Sequence, residues 1–404
     1  PPPPPPTHPP PPPPPPTPTP LNLRRHRQMC IRDSLLTGCY AASWNPQKLD
    51  AWSDREISPE LAAQLPDLRE RDEIRILVFG DSGKPETFRD VAKWMGKACA
   101  DRCDFGLVLG DNFYLRGPSE TDPDEFQTHF KHPLLDAHEE FRDRAFWVVP
   151  GNHAYVSLFG RPDSDPAVQL EYTYSQSPGD GPYWLMPALQ FSVPLLPDWL
   201  TIVGFDSFLA SDRRSFRGSD AEFLAYQSRY ISRVYRELSA KQSLGWRVLF
   251  GHHPNVTIGG HHEGNRMRGV REPFAQSLPL IYFSGHDHDQ QLIEAGGLIQ
   301  VIQGSASKSR DGVWGVNKAE EYFQQALVPG YKKLRQEISA EYCEKLGFAI
   351  AEFRPDRFSL TFFWGHEGDG AILGSRTWRW TRSAKGEVLR EDPPAAGTFV
   401  NLCP

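Results

Sequence analysis

Short apolar runs, each followed at once by a turn and then by acidic, amide or imidazole residues, recur along this chain. The run from Phe105 to Leu109 leads through Gly110 to Asp111, and it predicts a strand buried on both faces of an α/β sheet. Four further runs end in the same way, namely Ile74–Phe79 before Gly80-Asp81-Ser82-Gly83, Phe146–Val149 before Pro150-Gly151-Asn152-His153, Val248–Phe250 before Gly251-His252-His253-Pro254, and Ile281–Ser284 before Gly285-His286-Asp287-His288. The pattern therefore places similar polar side chains just past five strands.

Because this pattern recurs at five strand ends, it indicates a binding site and not ordinary turns. A single Gly-Asp pair after a strand is ordinary turn chemistry. Five such strand ends are different, because ligands in open α/β sheets bind beyond the carboxyl ends of the strands. Carboxylate oxygens and imidazoles gathered there suit Fe, Zn or Mn, whereas a structural zinc site is more often built from paired cysteines. The sequence therefore predicts a metal-centred hydrolase.

The stretches between and after these strands predict helices and a hairpin. Residues 88–99 carry apolar residues at helical spacing, which predicts a helix that covers the sheet. Ser219 and Glu222 form a capping box that opens a second helix. Residues 348–364 predict an antiparallel hairpin. Residues 155–197 lack periodicity, and we expect long loops with short strands there.

The five blocks, in the order GDSG, GDNFY, GNH, GHHP and GHDH, resemble the pattern of the calcineurin-like metallophosphoesterases. Within that superfamily the chain is most similar to the small purple acid phosphatases of the tartrate-resistant type, because Tyr114 stands three residues after Asp111. Most of the superfamily lacks this tyrosine and carries a His at the position of Gly83. The resemblance implies an α/β fold, a four-layer α/β/β/α sandwich with two mixed sheets flanked by helices. It assigns the catalytic domain to residues 71–365, and we expect residues 366–404 to be a C-terminal extension that packs on this domain or trails from it.

Carried over by position, the resemblance implies two metal sites that share Asp111. The first site takes Asp81, Asp111, Tyr114 and His288, and the second takes Asp111, Asn152, His252 and His286. The phenolate of Tyr114 is a hard and strongly donating ligand, which implies Fe(III) in the first site. The neutral amide and two imidazoles leave the second site for Fe(II), Zn or Mn. Two aspartates and one tyrosinate leave these ions with surplus positive charge, which would attract a phosphate dianion.

The resemblance also implies the chemistry. We expect dinuclear metal-dependent hydrolysis of phosphomonoesters, an acid phosphatase activity of the purple type, in which a metal-activated hydroxide attacks and a histidine acts as general acid. His153, beside Asn152, is the expected acid, and His261 is expected to orient the phosphate or share that role. Further candidates for substrate contact are Asn112, His262 and Arg266.

Two positions depart from the family pattern. Ala154 stands where an acidic residue usually follows the GNH block, and its lack of a carboxylate predicts a weakened or retuned His153. His253 stands where an aromatic residue is common. Neither change removes a predicted metal ligand. Two alternatives stay open, which are a phosphodiesterase or nucleotide-cleaving enzyme that uses the same metals, and a lipid-anchored binding protein with little turnover.

The segment Leu35-Leu36-Thr37-Gly38-Cys39 resembles the end of a bacterial lipoprotein signal, in which the cysteine is lipidated. It predicts an exported protein, periplasmic or at the bacterial cell surface, with residues 35–70 as a lipobox remnant and tether and a lipid on Cys39 as the one membrane contact. The alternative is an ordinary cysteine after a short apolar run. An exported chain would pair its other cysteines, and the sequence leaves open three pairings, or four free thiols, among Cys99, Cys103, Cys343 and Cys403.

The first 34 residues look foreign to a folded domain. Residues 1–20 hold 16 of the 39 prolines, so we expect this segment to be disordered. Residues 29–34, Met-Cys-Ile-Arg-Asp-Ser, resemble the translation of a transposase adapter used in sequencing libraries, and we interpret residues 1–34 as a sequencing or assembly artefact. The alternative is a proline-rich arm that binds SH3-like or WW-like partners.

Charge and hydropathy narrow the classes of partner. The formal net charge is -7, and without residues 1–34, which hold four Arg and one Asp, it is -10. No block of Lys and Arg stands out, which argues against a nucleic-acid partner. No apolar run approaches the roughly 18 residues of a membrane-spanning helix. A phosphate ester is therefore the expected partner.

Overall fold

The computed structural model of this chain contains two large sheets. It describes residues 40–41, 57–99, 102–114, 118, 124–157, 166–177, 179, 181–211, 219–240, 245–259, 279–295, 297–309, 339–368, 371–393 and 399–403. Residues 1–34 and Cys39 lie outside the described residues. No helix in the described ranges is long and apolar enough to cross a membrane.

The strands of the described residues are short to medium in length and fall into two sheets of eight and one pair. In chain order they are β1 (Tyr40–Ala41), β2 (Ile74–Phe79), β3 (Phe105–Val108), β4 (Ala145–Val148), β5 (Val156–Ser157), β6 (Tyr183–Leu185), β7 (Gln190–Ser192), β8 (Leu200–Phe205), β9 (Trp246–Phe250), β10 (Leu280–Ser284), β11 (Gln290–Ala295), β12 (Leu298–Gln303), β13 (Ser339–Cys343), β14 (Leu346–Arg354), β15 (Arg357–Gly365), β16 (Gly374–Arg382), β17 (Val388–Arg390) and β18 (Phe399–Asn401). Strands β1 and β5 form the separate antiparallel pair.

Both large sheets are mixed. The first sheet has the order β17-β16-β15-β14-β2-β3-β4-β6, in which β2, β3, β4 and β6 are parallel and the others are antiparallel. The second sheet has the order β18-β13-β11-β12-β10-β9-β8-β7, with β8, β9, β10 and β12 parallel. The carboxyl ends of the parallel strands share one edge of each sheet, which is where the polar blocks of the sequence fall.

Helices flank the two sheets. They are α1 (Pro59–Ala62), α2 (Pro85–Cys99), α3 (Asp124–Phe126), α4 (His132–Ala137), α5 (Pro166–Ser175), α6 (Ser207–Ser211) and α7 (Asp220–Ala240), with a π-helical turn at Gln127–Lys131 and 3-10 turns at Glu139–Asp143 and Asn152–Ala154. The capping box of α7 is confirmed, because the Glu222 amide donates to Ser219 Oγ at 3.3 Å and the Ser219 amide donates to Glu222 Oε2 at 2.6 Å.

The apolar core explains the order of the layers. Neighbouring residues of a strand point to opposite faces. Ile76 and Val78 of β2 belong to a buried cluster that also holds Val248 and Phe250 of β9, so this cluster joins the two sheets. On the other face of β2, the ring of Phe79 stacks on Phe88 of α2 with centroids 5.3 Å apart. Burial of each Val, Ile or Phe side chain stabilises the fold by about 1.5–3 kcal/mol. The cluster between the sheets and the helix packed on the other face of β2 confirm the predicted four-layer α/β/β/α sandwich.

One segment differs from its prediction. Residues 166–175, expected to be loop or strand, form helix α5. Its buried positions are Pro166, Gln169, Leu170 and Thr173, which are spaced as one helix face. Two of these four residues are polar, so the hydrophobic pattern of the sequence hides the helical period. The buried hydroxyl of Thr173 is satisfied, because it accepts a hydrogen bond from the Met186 amide at 2.8 Å.

The four remaining cysteines form two disulfides, and the sequence could not choose their pairing. Cys99 pairs with Cys103 and Cys343 pairs with Cys403, with Cα atoms 5.3 Å and 5.2 Å apart. The second bond fastens the end of the described chain to β13. Residues after Gly365 also supply β16, β17 and β18, so the expected extension adds edge strands to both sheets.

Candidate metal centre

The side chains that the sequence predicts as metal ligands meet where the two sheets open at one edge. Each follows a strand end, and the first sheet supplies four of them and the second sheet three. Those from the first sheet are Asp81 after β2, Asp111 and Tyr114 after β3, and Asn152 after β4. Those from the second sheet are His252 after β9, and His286 and His288 after β10. All are buried except Tyr114 and Asn152, which are half-buried.

The first cluster brings together an acid, a phenol and an imidazole. Tyr114 Oη lies 3.0 Å from Asp81 Oδ1 and 3.3 Å from His288 Nε2. His288 Nε2 lies 3.4 Å from Asp81 Oδ1. The three donor atoms therefore form a compact triangle.

The second cluster is centred on His252. Its Nε2 lies 3.0 Å from Asn152 Oδ1, 3.1 Å from His286 Nδ1 and 3.4 Å from Asp111 Oδ2. The two clusters are joined by the His286 amide, which donates to Asp81 Oδ2 at 2.8 Å. Asp81, Asp111 and His252 place one ligand atom each within 4.8 Å of one another.

These spacings fit bound metal ions. When a metal binds nitrogen and oxygen ligands at about 2.0–2.2 Å, neighbouring donor atoms lie about 3.0–3.5 Å apart. Both clusters show such spacings. The tautomer of His252 also fits, because its Nδ1 lies 2.8 Å from the Leu109 carbonyl oxygen. A carbonyl can only accept, so Nδ1 carries the proton and Nε2 offers its lone pair to the centre.

The backbone at three ligands is left-handed. Asp81, Asp111 and His286 have φ of 58°, 49° and 72°, a region that costs a residue with a side chain about 1–2 kcal/mol. Each follows a glycine that ends the strand. The turn directs the ligand back across the strand ends. Close packing matters as well, since a Cβ on Gly151 would collide with the carboxylate of Asp111.

Gly83 makes room for Tyr114. A Cβ at Gly83 would lie 2.8 Å from Tyr114 Cδ2 and 2.7 Å from the Tyr114 amide nitrogen. Because such contacts are too close, no larger residue fits at position 83 beside this ring. Gly83 and Tyr114 therefore depend on each other, because the ring of Tyr114 fits only where position 83 has no side chain.

The cluster is electrostatically coupled. Burial alone would raise the pKa of Asp111, but the imidazoles of His252 and His153 hold that pKa well below its usual range. Burial disfavours a charged His252, yet the carboxylates of Asp111 and Asp81 outweigh this effect and raise its pKa to about 9. The buried carboxylates are therefore stabilised by nearby positive charge. Metal ions would supply this charge in place of the protons on the imidazoles.

His153, the expected general acid, lies at the exposed side of the cluster. Its Nε2 is 3.8 Å from Asp111 Oδ2, its amide donates to Asp111 Oδ1 at 3.0 Å, and its side chain is 20% exposed. Its ring packs edge-on against Tyr114 with centroids 5.0 Å apart. Ala154 is buried and supplies no carboxylate, and the carboxylate of Asp111 lies beside His153 instead.

His253 stands behind the second cluster. Ser207 Oγ accepts from the amides of His252 and His253 at 3.0 Å and 2.8 Å, and it lies 2.9 Å from His253 Nδ1. With both lone pairs engaged, the hydroxyl donates its proton to Nδ1. The neutral ring then carries its proton on Nε2. His253 therefore supports the His252 turn, although its ring lies 4.6 Å from that of His286.

The sequence reasoning missed Asp206 and Ser207. They follow β8 directly, and the signal was the same apolar run with polar residues at its end, here without a glycine. Tyr155 donates its hydroxyl to Asp206 Oδ2, and the amides of Phe208 and Leu209 donate to Oδ1 at 2.9 Å and 3.2 Å. Burial nevertheless raises the pKa of Asp206 to about 7.

We expect Asp206 to make stability fall as pH rises. The folded chain keeps this proton up to about pH 7, while the unfolded chain releases it near pH 4, so between these values the folded state binds more protons. An Asp206→Asn variant lacks this effect. The free energy of unfolding of the native chain should fall from pH 5 to pH 8 by on the order of 3 kcal/mol more than that of the variant. Denaturant unfolding at both pH values measures this difference.

Tyr155→Phe is the matched control, because it removes the hydrogen bond and keeps the carboxyl group. It should retain the fall in stability from pH 5 to pH 8. Parallel pH profiles for the native chain and Asp206→Asn would contradict the assignment.

The other candidates are placed differently. Asn112 is buried, and its Nδ2 lies 3.4 Å from the Val149 carbonyl and 3.4 Å from Gln169 Oε1. These bonds direct its amide into the interior below the Asn152 turn. His261, His262 and Arg266 lie outside the described residues.

Comparison with known proteins gives consistent results. A sequence model of the family described as Calcineurin-like phosphoesterase matches residues 74–290. The chain is 25% identical to tartrate-resistant acid phosphatase type 5 of Sus scrofa over 315 residues, which span 72% of this chain and 83% of that protein. It is 25% identical to purple acid phosphatase 7 of Arabidopsis thaliana over 265 residues, 59% of this chain and 72% of that protein. Among solved structures, GAP50, the anchor in the inner membrane complex of Plasmodium, shares the fold with a TM-score of 0.53 at 15% identity, over 76% of this chain and 88% of that chain.

Proposed function

Because this chain belongs to the calcineurin-like phosphoesterase family, a family of metal-dependent hydrolases, we propose that it is a phosphomonoesterase of the purple acid phosphatase type. The observation that carries the proposal is the position of Tyr114. Its hydroxyl lies within 3.0 Å and 3.3 Å of two other predicted ligands of the first site. The similarity to tartrate-resistant and purple acid phosphatases supports the same choice.

The donor set supports two different metals. Tyr114, Asp81 and His288, with Asp111, would hold Fe(III), which prefers hard anionic oxygen ligands. Asp111 would also hold the second ion with Asn152, His252 and His286, whose neutral amide and imidazoles suit Fe(II), Zn or Mn. When bound, two such ions would lower the pKa of water and neutralise charge on the phosphoryl group.

The chain's own residues would supply orientation and a proton. Asp111, whose Oδ2 lies 3.4 Å from His252 Nε2, would be a ligand shared by the two sites. His153 lies beside Asp111 with part of its ring exposed, where it would donate a proton to the departing alkoxide. Burial lowers the pKa of His153, and the charge of Lys308 adds to this effect. A general acid of this kind works best below neutral pH.

A visible absorption spectrum with metal analysis tests the proposal. The chain, purified without chelators, should bind about two metals and show a charge-transfer band from the Tyr114 phenolate to Fe(III). Tyr114→Phe should lose the band, and Tyr235→Phe, a change on helix α7, should keep it. Two metals without a band would overturn the purple type and leave a generic dinuclear phosphoesterase.

Assays with a phosphomonoester, a phosphodiester and a nucleotide separate the remaining functions. We expect the phosphomonoester to have the highest kcat/KM. A preference for the diester or the nucleotide would favour the phosphodiesterase alternative. Slow turnover of all three by fully metallated protein would favour a binding protein.

A further inference from the structure

A lysine lies over the ring of the predicted ligand Tyr114. Lys308 Nζ lies 3.1 Å from the centroid of the Tyr114 ring. The same ring lies nearly perpendicular to the ring of His153, with centroids 5.0 Å apart. The Tyr114 ring therefore contacts the metal cluster through its hydroxyl and also packs against the expected general acid and an ammonium group.

The loop that carries Lys308 is fastened to the metal cluster. It follows β12, whose carboxyl end opens at the same edge as β10. The hydroxyl of Ser307 donates to the Asp81 carbonyl oxygen at 2.5 Å and accepts from the Lys84 amide at 3.1 Å. The Ala306 amide donates to the Gly80 carbonyl oxygen at 3.2 Å. These bonds from the Ser307 hydroxyl and the Ala306 amide to the turn after β2 hold the backbone next to Lys308 in place.

A purely structural role would be a cation–π contact. Such a contact contributes about 0.5–1 kcal/mol at an exposed site and about 2 kcal/mol when desolvated. It would hold Lys308 in place with or without substrate. The position allows a further role, because the half-buried Lys308 places a positive charge at Tyr114, a ligand of the cluster that is itself only half-buried.

We propose that Lys308 binds the phosphoryl oxygens of the substrate and favours phosphomonoesters over phosphodiesters. The inference rests on the proposed function and adds a residue that sets its specificity. A monoester carries about two negative charges above pH 6, whereas a diester carries one. An ammonium group therefore attracts the monoester more strongly, and its three N–H donors can meet the three terminal oxygens of a monoester, of which a diester keeps two.

Lys308→Met tests the role because methionine keeps most of the stem and removes the charge. We expect kcat/KM for a phosphomonoester to fall on the order of 10- to 100-fold, as for loss of one charged hydrogen bond, and that for a diester to fall several-fold less. Lys308→Arg should restore much of the preference. Lys385→Met, the same change in the exposed turn before β17, should have no effect.

Binding of inorganic phosphate to metal-loaded protein gives a readout that does not need turnover. Measured by calorimetry, the Kd for phosphate should rise about 10-fold or more in Lys308→Met and stay unchanged in Lys385→Met. An unchanged Kd, or equal losses for both ester classes, would overturn the role of Lys308. If the native chain hydrolyses no ester but phosphate affinity still depends on Lys308, the proposed function fails and the anion site stands.

Discussion

Asp111→Asn is expected to lower kcat/KM for a phosphomonoester by roughly 10³-fold or more, because it removes a buried carboxylate that lies 3.4 Å from His252 Nε2 and that the resemblance assigns to both metal sites. The change is nearly isosteric. Asn tolerates the left-handed backbone of this position, where φ is 49°, and its amide oxygen can still accept from the His153 amide. The loss should therefore reflect charge and metal binding rather than misfolding, and metal analysis should find fewer than two ions per chain.

A matched control lies at the other end of the same strand. Asp104 precedes β3, accepts from the Arg75 amide at 2.7 Å and pairs with Arg71 at 3.3 Å. Asp104→Asn changes the same group, far from the centre, and should leave kcat/KM and metal content unaltered. Two bound metals and near-native activity in Asp111→Asn would show that this residue does not bridge the sites.

His153→Gln is expected to lower kcat/KM on the order of 10²- to 10⁴-fold for an alkyl phosphate, the range of general acid catalysis. An alkoxide is a poor leaving group and needs a proton as the bond to phosphorus breaks. An activated aryl phosphate leaves as a stable anion, so its kcat/KM should fall less than about 10-fold. A series of esters with different leaving-group pKa values measures this, and the variant should show a steeper dependence on that pKa.

His366→Gln serves as the control, since His366 is exposed and lies beyond the end of β15. It should match the native chain for every ester. If His153→Gln lost the same factor with alkyl and aryl esters, His153 would act in binding or orientation and not as the acid.

The sequence predicted which candidate ligands come together better than it predicted the residues around them. Parallel strands end at a common edge, so a local pattern, an apolar run followed by ligands, also specifies position in space. Asp206 and Ser207 follow the same rule, but no glycine marks their turn, so they do not match the pattern of the other five strand ends. Lys308 could not be predicted for a related reason, since residues 304–307 separate it from the end of β12. Nothing in the sequence indicates that the Ser307 hydroxyl bonds to the Asp81 carbonyl oxygen.

Other features depend on tertiary structure that no local pattern encodes. The pairing of Cys343 with Cys403 depends on how close β13 lies to a residue 60 positions later in the sequence. Helix α5 was missed because Gln169 and Thr173 are buried by hydrogen bonds and not by apolar contacts. The complementarity of Gly83 and Tyr114 is likewise visible only when both turns are in place.

Because the candidate ligands come from both sheets, bound metals would also hold the two sheets together. Ions held by Asp81, Asp111, Tyr114 and Asn152 on one side and by His252, His286 and His288 on the other would act as a cross-link between the two β-layers. A ligand present at 1,000 times its Kd adds about 4 kcal/mol to the stability of a fold. Without bound metal, local unfolding at this edge would be more frequent and proteolysis would be faster. Metal availability would then set the lifetime of the protein as well as its rate of turnover.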